Sequence, residues 1–141
     1  MTTPTHTPEE TMEMRRRLAE LCFTLQDRNG HTWLADKDGD YYCTLEEWRP
    51  DSHLSIGWAQ AGMVVEAMRV RWRRETPDGT SYWQYEWRFC SSNGKWGAFI
   101  ADTDVFIEVS GDDIEYEEWA DTLPAAICWA AHACLRAENG E

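Results

Sequence analysis

No apolar run in this 141-residue chain approaches the length of a membrane-spanning helix, and no basic-then-apolar leader opens it. Those two absences argue for a soluble cytosolic protein without a membrane partner. No C-x-x-C pair occurs among the five cysteines, Cys22, Cys43, Cys90, Cys128 and Cys134. An odd count without a leader reads as reduced, mostly buried thiols rather than a disulfide framework. A nucleophile elbow, a phosphate loop, an H-E-x-x-H motif and a Rossmann glycine pattern are all missing. The chain therefore suggests no cofactor and no metal, and catalysis is the minority reading.

Basic residues are missing altogether between Lys95 and Arg136, while nine carboxylates fall within 102–121. In a chain of net charge −13 that segment repels nucleic acid, which argues against direct DNA or RNA binding. It reads either as a solvated rim or as a nucleic-acid-like surface for a basic host protein. Asp112, Asp113, Glu115, Glu117 and Glu118 would carry the second role.

What is present is a globular composition, 43% hydrophobic with nine tryptophans. Residues 1–7 read as a disordered polar tail and 8–141 as a single α+β domain. Thr7 can cap a first helix, with Pro8 in its first turn and Glu10 completing a capping box. Met14, Leu18, Leu21, Cys22 and Leu25 form its apolar stripe, and Asn29-Gly30 is a stop. A short strand, a turn and an irregular return follow. The turn, "DKDGD", lacks the later ligands of a calcium loop and reads as a plain Asp-Gly turn.

A second helix starts near Asp51 or Ser52, with Leu54, Trp58, Ala61, Val65 and Met68 as its stripe. Gly57 and Gly62 within it need close packing nearby to be tolerated. The period then changes from helical to alternating. "RVRWRRE" and "SYWQYEWRFC" flank "TPDGT", which predicts a hairpin from 69–75 and 81–90. "WGAFIAD" and "VFIEVSG" follow as strands. Thr122 and Pro124 open a last helix over 123–137, with Ile127, Cys128, Ala131, Cys134 and Leu135 on one face. The expected fold is thus α+β, an antiparallel sheet of three to five strands packed with two or three helices.

The segment "EEWADTLPAAICWAAHACL" resembles the C-terminal signature of the phage ABA-sandwich proteins, small proteins of bacteriophage genomes. The matching positions are Asp121, Thr122, Pro124, Ala126, Ile127 and Cys128. "WAQAGMVVEAM" and "GKWGAFIAD" resemble that family's first helix and its Trp-containing strand, so the likeness runs over roughly 48–137. Trp129 stands where relatives often carry Arg. The resemblance implies a non-catalytic phage accessory protein of the host cytoplasm, with counter-defence as its setting. It does not assign a ligand.

The stretch 68–90 is richer than that family pattern. It gathers Arg69, Arg71, Arg73, Arg74 and Arg88, five of the thirteen basic residues, with three tryptophans, two tyrosines and a phenylalanine. In a three-residue hairpin Thr76 pairs with Thr80, so Arg73 lies opposite Trp83, Arg71 opposite Tyr85 and Arg69 opposite Trp87. Two readings stay open. The arginine stems cover aromatic core residues, or the ladder binds a small anionic, nucleotide-like ligand by stacking and forked hydrogen bonds. The second is the functional expectation, with Arg69, Arg71, Arg73, Trp83, Tyr85 and Trp87 as binding residues. A nucleotide-processing enzyme ranks behind it and behind the acidic mimic. Nine tryptophans also suggest a homodimer, with Trp129 as its contact. Cys128 and His132, four apart on one helix face, have metal-ligand spacing but lack further ligands.

Overall fold

The computed structural model describes residues 6–103 and 114–140. Helix α1 runs Pro8–Cys22, and the cap forms as its sequence requires: the Thr7 hydroxyl accepts from the Glu10 amide at 3.1 Å. The helix ends seven residues before Asn29-Gly30, however. Phe23 turns extended and sets its ring 5.3 Å from Trp48 and 5.4 Å from Tyr42. Thr24–Arg28 is then strand β1, and Asn29 and Gly30, with φ of 52° and 80°, make the two-residue turn into β2, His31–Ala35. Asn-Gly takes positive φ at both positions cheaply, which favours a hairpin over a helix stop. Leu25 accordingly pairs with Leu34 across the strands and is not part of the helical stripe.

Strand β3, Tyr41–Thr44, completes this three-stranded antiparallel sheet after the "DKDGD" turn. One Asp36 carboxylate oxygen closes that turn by accepting from the amides of Asp38 and Asp40 at 2.9 and 3.0 Å.

Helix α2 spans Ser55–Trp72. Its cap is Leu54, not Asp51 or Ser52. Asp51 instead takes a bidentate bond from Arg15 of α1 at 2.9 and 3.0 Å, and the Ser52 hydroxyl accepts from the Leu54 amide at 3.1 Å. The buried stripe is Gly57, Gln60, Ala61, Val64, Met68 and Trp72. Leu54 and Trp58, expected inside, are 58% and 50% exposed. Trp72 lies four residues after Met68 and is fully buried, so it extends the helical stripe by one turn. Arg69 and Arg71 are therefore helical, and the expected hairpin from 69 is reduced to β4, Arg73–Glu75, pairing with β5, Ser81–Trp83.

The chain breaks step at Gln84, whose amide donates to the Trp72 carbonyl at 2.9 Å. It continues as β6, Tyr85–Ser92, which turns at Asn93-Gly94 into β7, Lys95–Asp102. The expected strand "VFIEVSG" lies outside the described residues. Ile114–Ala120, a strand not expected from the sequence, is β8 and pairs with β7. The α+β class is as expected, with the strands distributed over three antiparallel sheets. Helix α3, Leu123–Glu138, starts on Thr122, whose hydroxyl accepts from the Ala125 amide at 3.4 Å.

Helix α3 packs on β7 and β8, α2 on α3 and β6, and α1 on both other helices. All five expected face residues of α3 are buried, and Ala126, Ala130 and Ala131 keep it close to Ala98 and Ile100 of β7. Among the described residues no helix is long and apolar enough to cross a membrane. The five thiols are free; Cys128 and Cys134 are buried, Cys22 and Cys43 half-buried, and Cys90 is exposed.

Candidate functional site

A cleft of about 890 Å³ opens between the C-terminal half of α2, the 76–80 turn and the start of β6. Each wall follows from local sequence. On α2, Val65 and Arg69 are four residues apart and so share a side flanking the core stripe, with Val65 half-buried against it. The turn closes with the Thr76 amide donating to Thr80 and the Gly79 amide to Thr76, both at 2.9 Å, and with Gly79 at φ 88°. Hydrogen bonds from Thr76 and Thr80 hold the Asp78 carboxyl below its ordinary range and fasten the turn further. On the floor, alternate residues of β6, Tyr85, Trp87 and Phe89, face the helices.

The walls are mainly aromatic. Trp87 stacks on Phe89 at 5.7 Å and lies 5.4 Å from the buried Trp72, while Tyr85 meets Trp72 edge-on at 5.7 Å. Trp83 is 44% and Phe89 42% exposed. The Arg69 guanidinium lies over the Trp83 ring at 5.4 Å and is paired with Glu66 at 3.2 Å. The Trp87 indole N–H is buried without a hydrogen-bond partner. Burial, then nearby carboxylates, push the Tyr85 hydroxyl above its ordinary range, so it stays protonated as a hydrogen-bonding group.

The expected residues divide around this cleft. Arg69, Trp83, Tyr85 and Trp87 line it together. Arg73 lies opposite Trp83, as the turn predicts, but its guanidinium donates to the Ser81 hydroxyl at 3.0 Å and does not line the cleft. Arg71 pairs with Glu138 of α3 at 2.6 Å, beside a separate space of about 450 Å³ shared with Arg74, Gln84 and Tyr85. Its expected pairing with Tyr85, and that of Arg69 with Trp87, do not form because both arginines are helical. Arg74 donates to the carbonyls of Arg71 and Arg73 at the end of α2.

The lining residues missed from sequence are Val65 and Glu66 of α2, Thr76, Thr80, Ser81 and Tyr82 of the turn and β5, Glu86 and Phe89 of β6, and Thr103. The signal for the first two was the helical spacing that carries α2 on to Trp72. Tyr82 pairs with Arg74, one step off the Arg73–Trp83 rung that the sequence singles out. Thr103 arrives by tertiary contact, its hydroxyl donating to the carbonyls of Trp83 and Gln84.

Of the nine carboxylates in the acidic segment, Asp102, Glu115, Glu117, Glu118 and Asp121 lie among the described residues. Glu115 and Glu117 point outward from β8, while Glu118 is half-buried and its carboxyl is pushed up by burial. Asp112 and Asp113 lie outside the described residues. Trp129 is half-buried beneath the His6 ring, stacked at 3.4 Å and 9°, which covers part of the expected dimer contact. Cys128 and His132 are both buried on α3, and burial raises the Cys128 thiol well above its ordinary value. No three His, Cys, Asp or Glu side chains converge as metal ligands among the described residues.

The cleft thus offers stacking surfaces, one guanidinium and a rim of Thr and Ser hydroxyls. No protein-family model, curated protein or solved structure matches this chain, so the resemblance to the phage ABA-sandwich proteins rests on the residues quoted for it.

Proposed function

We propose that this chain is a non-catalytic binding protein whose aromatic cleft captures a flat, nucleotide-like anion. The observation that carries this reading is the Arg69 guanidinium lying 5.4 Å over the exposed Trp83 ring at the mouth of an aromatic-walled cleft. A heteroaromatic ring entering there stacks on indole faces, and its anionic group meets the guanidinium fork. The openness of Trp83 and Phe89 at the cleft supports this reading over one in which arginine stems cover core rings. The phage resemblance supplies the setting: withdrawal of a nucleotide-like molecule from a bacterial host, with counter-defence as the outcome.

Calorimetry with the 5′-monophosphates of the four common nucleosides tests this. We expect at least one to bind. Trp83→Ala removes a stacking surface worth about 1–3 kcal/mol per base, so affinity falls about tenfold or more. Arg69→Ala weakens binding similarly, and Arg71→Ala leaves it unchanged because that side chain is held by Glu138. Absence of binding by all four overturns the reading.

A further inference from the structure

We infer that the cleft is a charge filter: it accepts a ring-bearing ligand with one phosphate and rejects polyphosphates. This rests on the functional reading above and adds the class of nucleotide. Among the described residues, the charged side chains lining the cleft are Arg69, Glu66 and Glu86, one cation against two carboxylates, with the Arg88 guanidinium offsetting Glu86 from outside the lining. No other arginine of the 68–90 stretch lines the cleft. Arg71 is bound to Glu138, Arg73 to Ser81, Arg74 to the carbonyls ending α2, and Arg88 to Glu86 at 2.7 Å.

A guanidinium has five N–H donors. Arg69 directs Nη1 to Glu66, so its remaining donors can serve one phosphate as a fork. A second or third phosphate finds no further cation among the described lining residues and meets the Glu66 and Glu86 carboxylates there. Like charges brought together in this way oppose binding, and the chain's net charge of −13 adds to the opposing field. The rest of the described rim is neutral. Thr76, Thr80, Ser81 and Thr103 bring hydroxyls, which suit sugar hydroxyls and give a polyphosphate no charge compensation.

The test uses the full chain in calorimetry with adenosine, guanosine, cytidine and uridine, their 5′-monophosphates and their 5′-triphosphates. Divalent cations are left out, because they would neutralise the phosphates. For whichever base binds, the triphosphate should be weaker than the monophosphate by about tenfold or more, a difference of about 1.4 kcal/mol. In the double variant Glu66→Gln/Glu86→Gln that gap should close. Both glutamates are exposed, and circular dichroism checks that the variant is folded. A triphosphate that binds as tightly as the monophosphate overturns the filter and leaves the binding function standing. So does a gap that persists in the double variant. Failure of every nucleoside and nucleotide to bind overturns the functional reading and the filter with it.

Discussion

Arg69 and Arg71 stand two residues apart and take unrelated partners. On a helix two residues are separated by about 200° around the axis, so one guanidinium faces Trp83 and the other reaches Glu138. In a strand the same spacing would have put both on one face. Glu118 shows environment acting on a single group in the opposite sense. Its strand partner is Ala98 of the core, and burial raises its carboxyl pKa, with His6 opposing. A carboxyl raised in the folded state keeps its proton to higher pH there than in the unfolded chain. Stability therefore falls as pH rises from the ordinary carboxylate range through the raised value, and the cost is complete at neutral pH. Glu118→Gln is expected to raise the melting temperature at neutral pH and to have little effect near about pH 3, where the carboxyl is protonated in both the folded and unfolded chain. Equal gains at both pH values in thermal melts would assign the effect to packing instead.

Among the elements, α2 carries two glycines with opposite meanings. A Cβ on Gly57 would lie 1.9 Å from the Ser52 carbonyl oxygen, whereas one on Gly62 would meet nothing within 4 Å. Gly57 is needed because the 49–54 segment folds back over the first turn of α2; Gly62 only weakens the helix. Gly62→Ala should stabilise by about 0.5–1 kcal/mol through helix propensity. Gly57→Ala should destabilise by several times that, about 2–4 kcal/mol, since backbone must move. Urea unfolding of the two variants reads both signs. The same helix explains why the hairpin is short. Each added turn of α2 buries another member of the Val64, Met68 and Trp72 series, and a fully buried tryptophan outweighs the alternating pattern that favoured a strand.

At the scale of the whole molecule, charge is the dominant asymmetry. A net charge of −13 on 141 residues makes self-repulsion oppose the compact state. Most of the ion pairs, such as Arg16–Glu20 and Arg69–Glu66, are exposed, and exposed pairs contribute little. Arg15–Asp51 is mostly buried and screened less. Added salt should therefore stabilise this protein. Raising NaCl from about 0.01 M to about 0.3 M, which shortens the Debye length severalfold, is expected to raise the melting temperature by a few degrees. A fall in melting temperature would show that the ion pairs dominate the repulsion.

Much of the fold was legible locally. Thr7-Pro8-Glu10 and Thr122-Pro124 start α1 and α3 where caps and prolines predict, and the 76–80 turn sets Arg73 against Trp83. These features depend on residues within one turn of each other, where backbone geometry and short hydrogen bonds decide. The candidate cleft was legible only in part. Trp83, Tyr85 and Trp87 stand out by composition, but which arginine joins them depends on where α2 stops. That end is set by Trp72 packing against Tyr85 and Trp87, residues beyond the turn. The α1 boundary has the same cause, because Phe23 leaves the helix to pack on Trp48. Local sequence determined the caps, the turns and the α+β class; tertiary packing decided the element ends, since burying a large ring outweighs about 1 kcal/mol of local backbone preference.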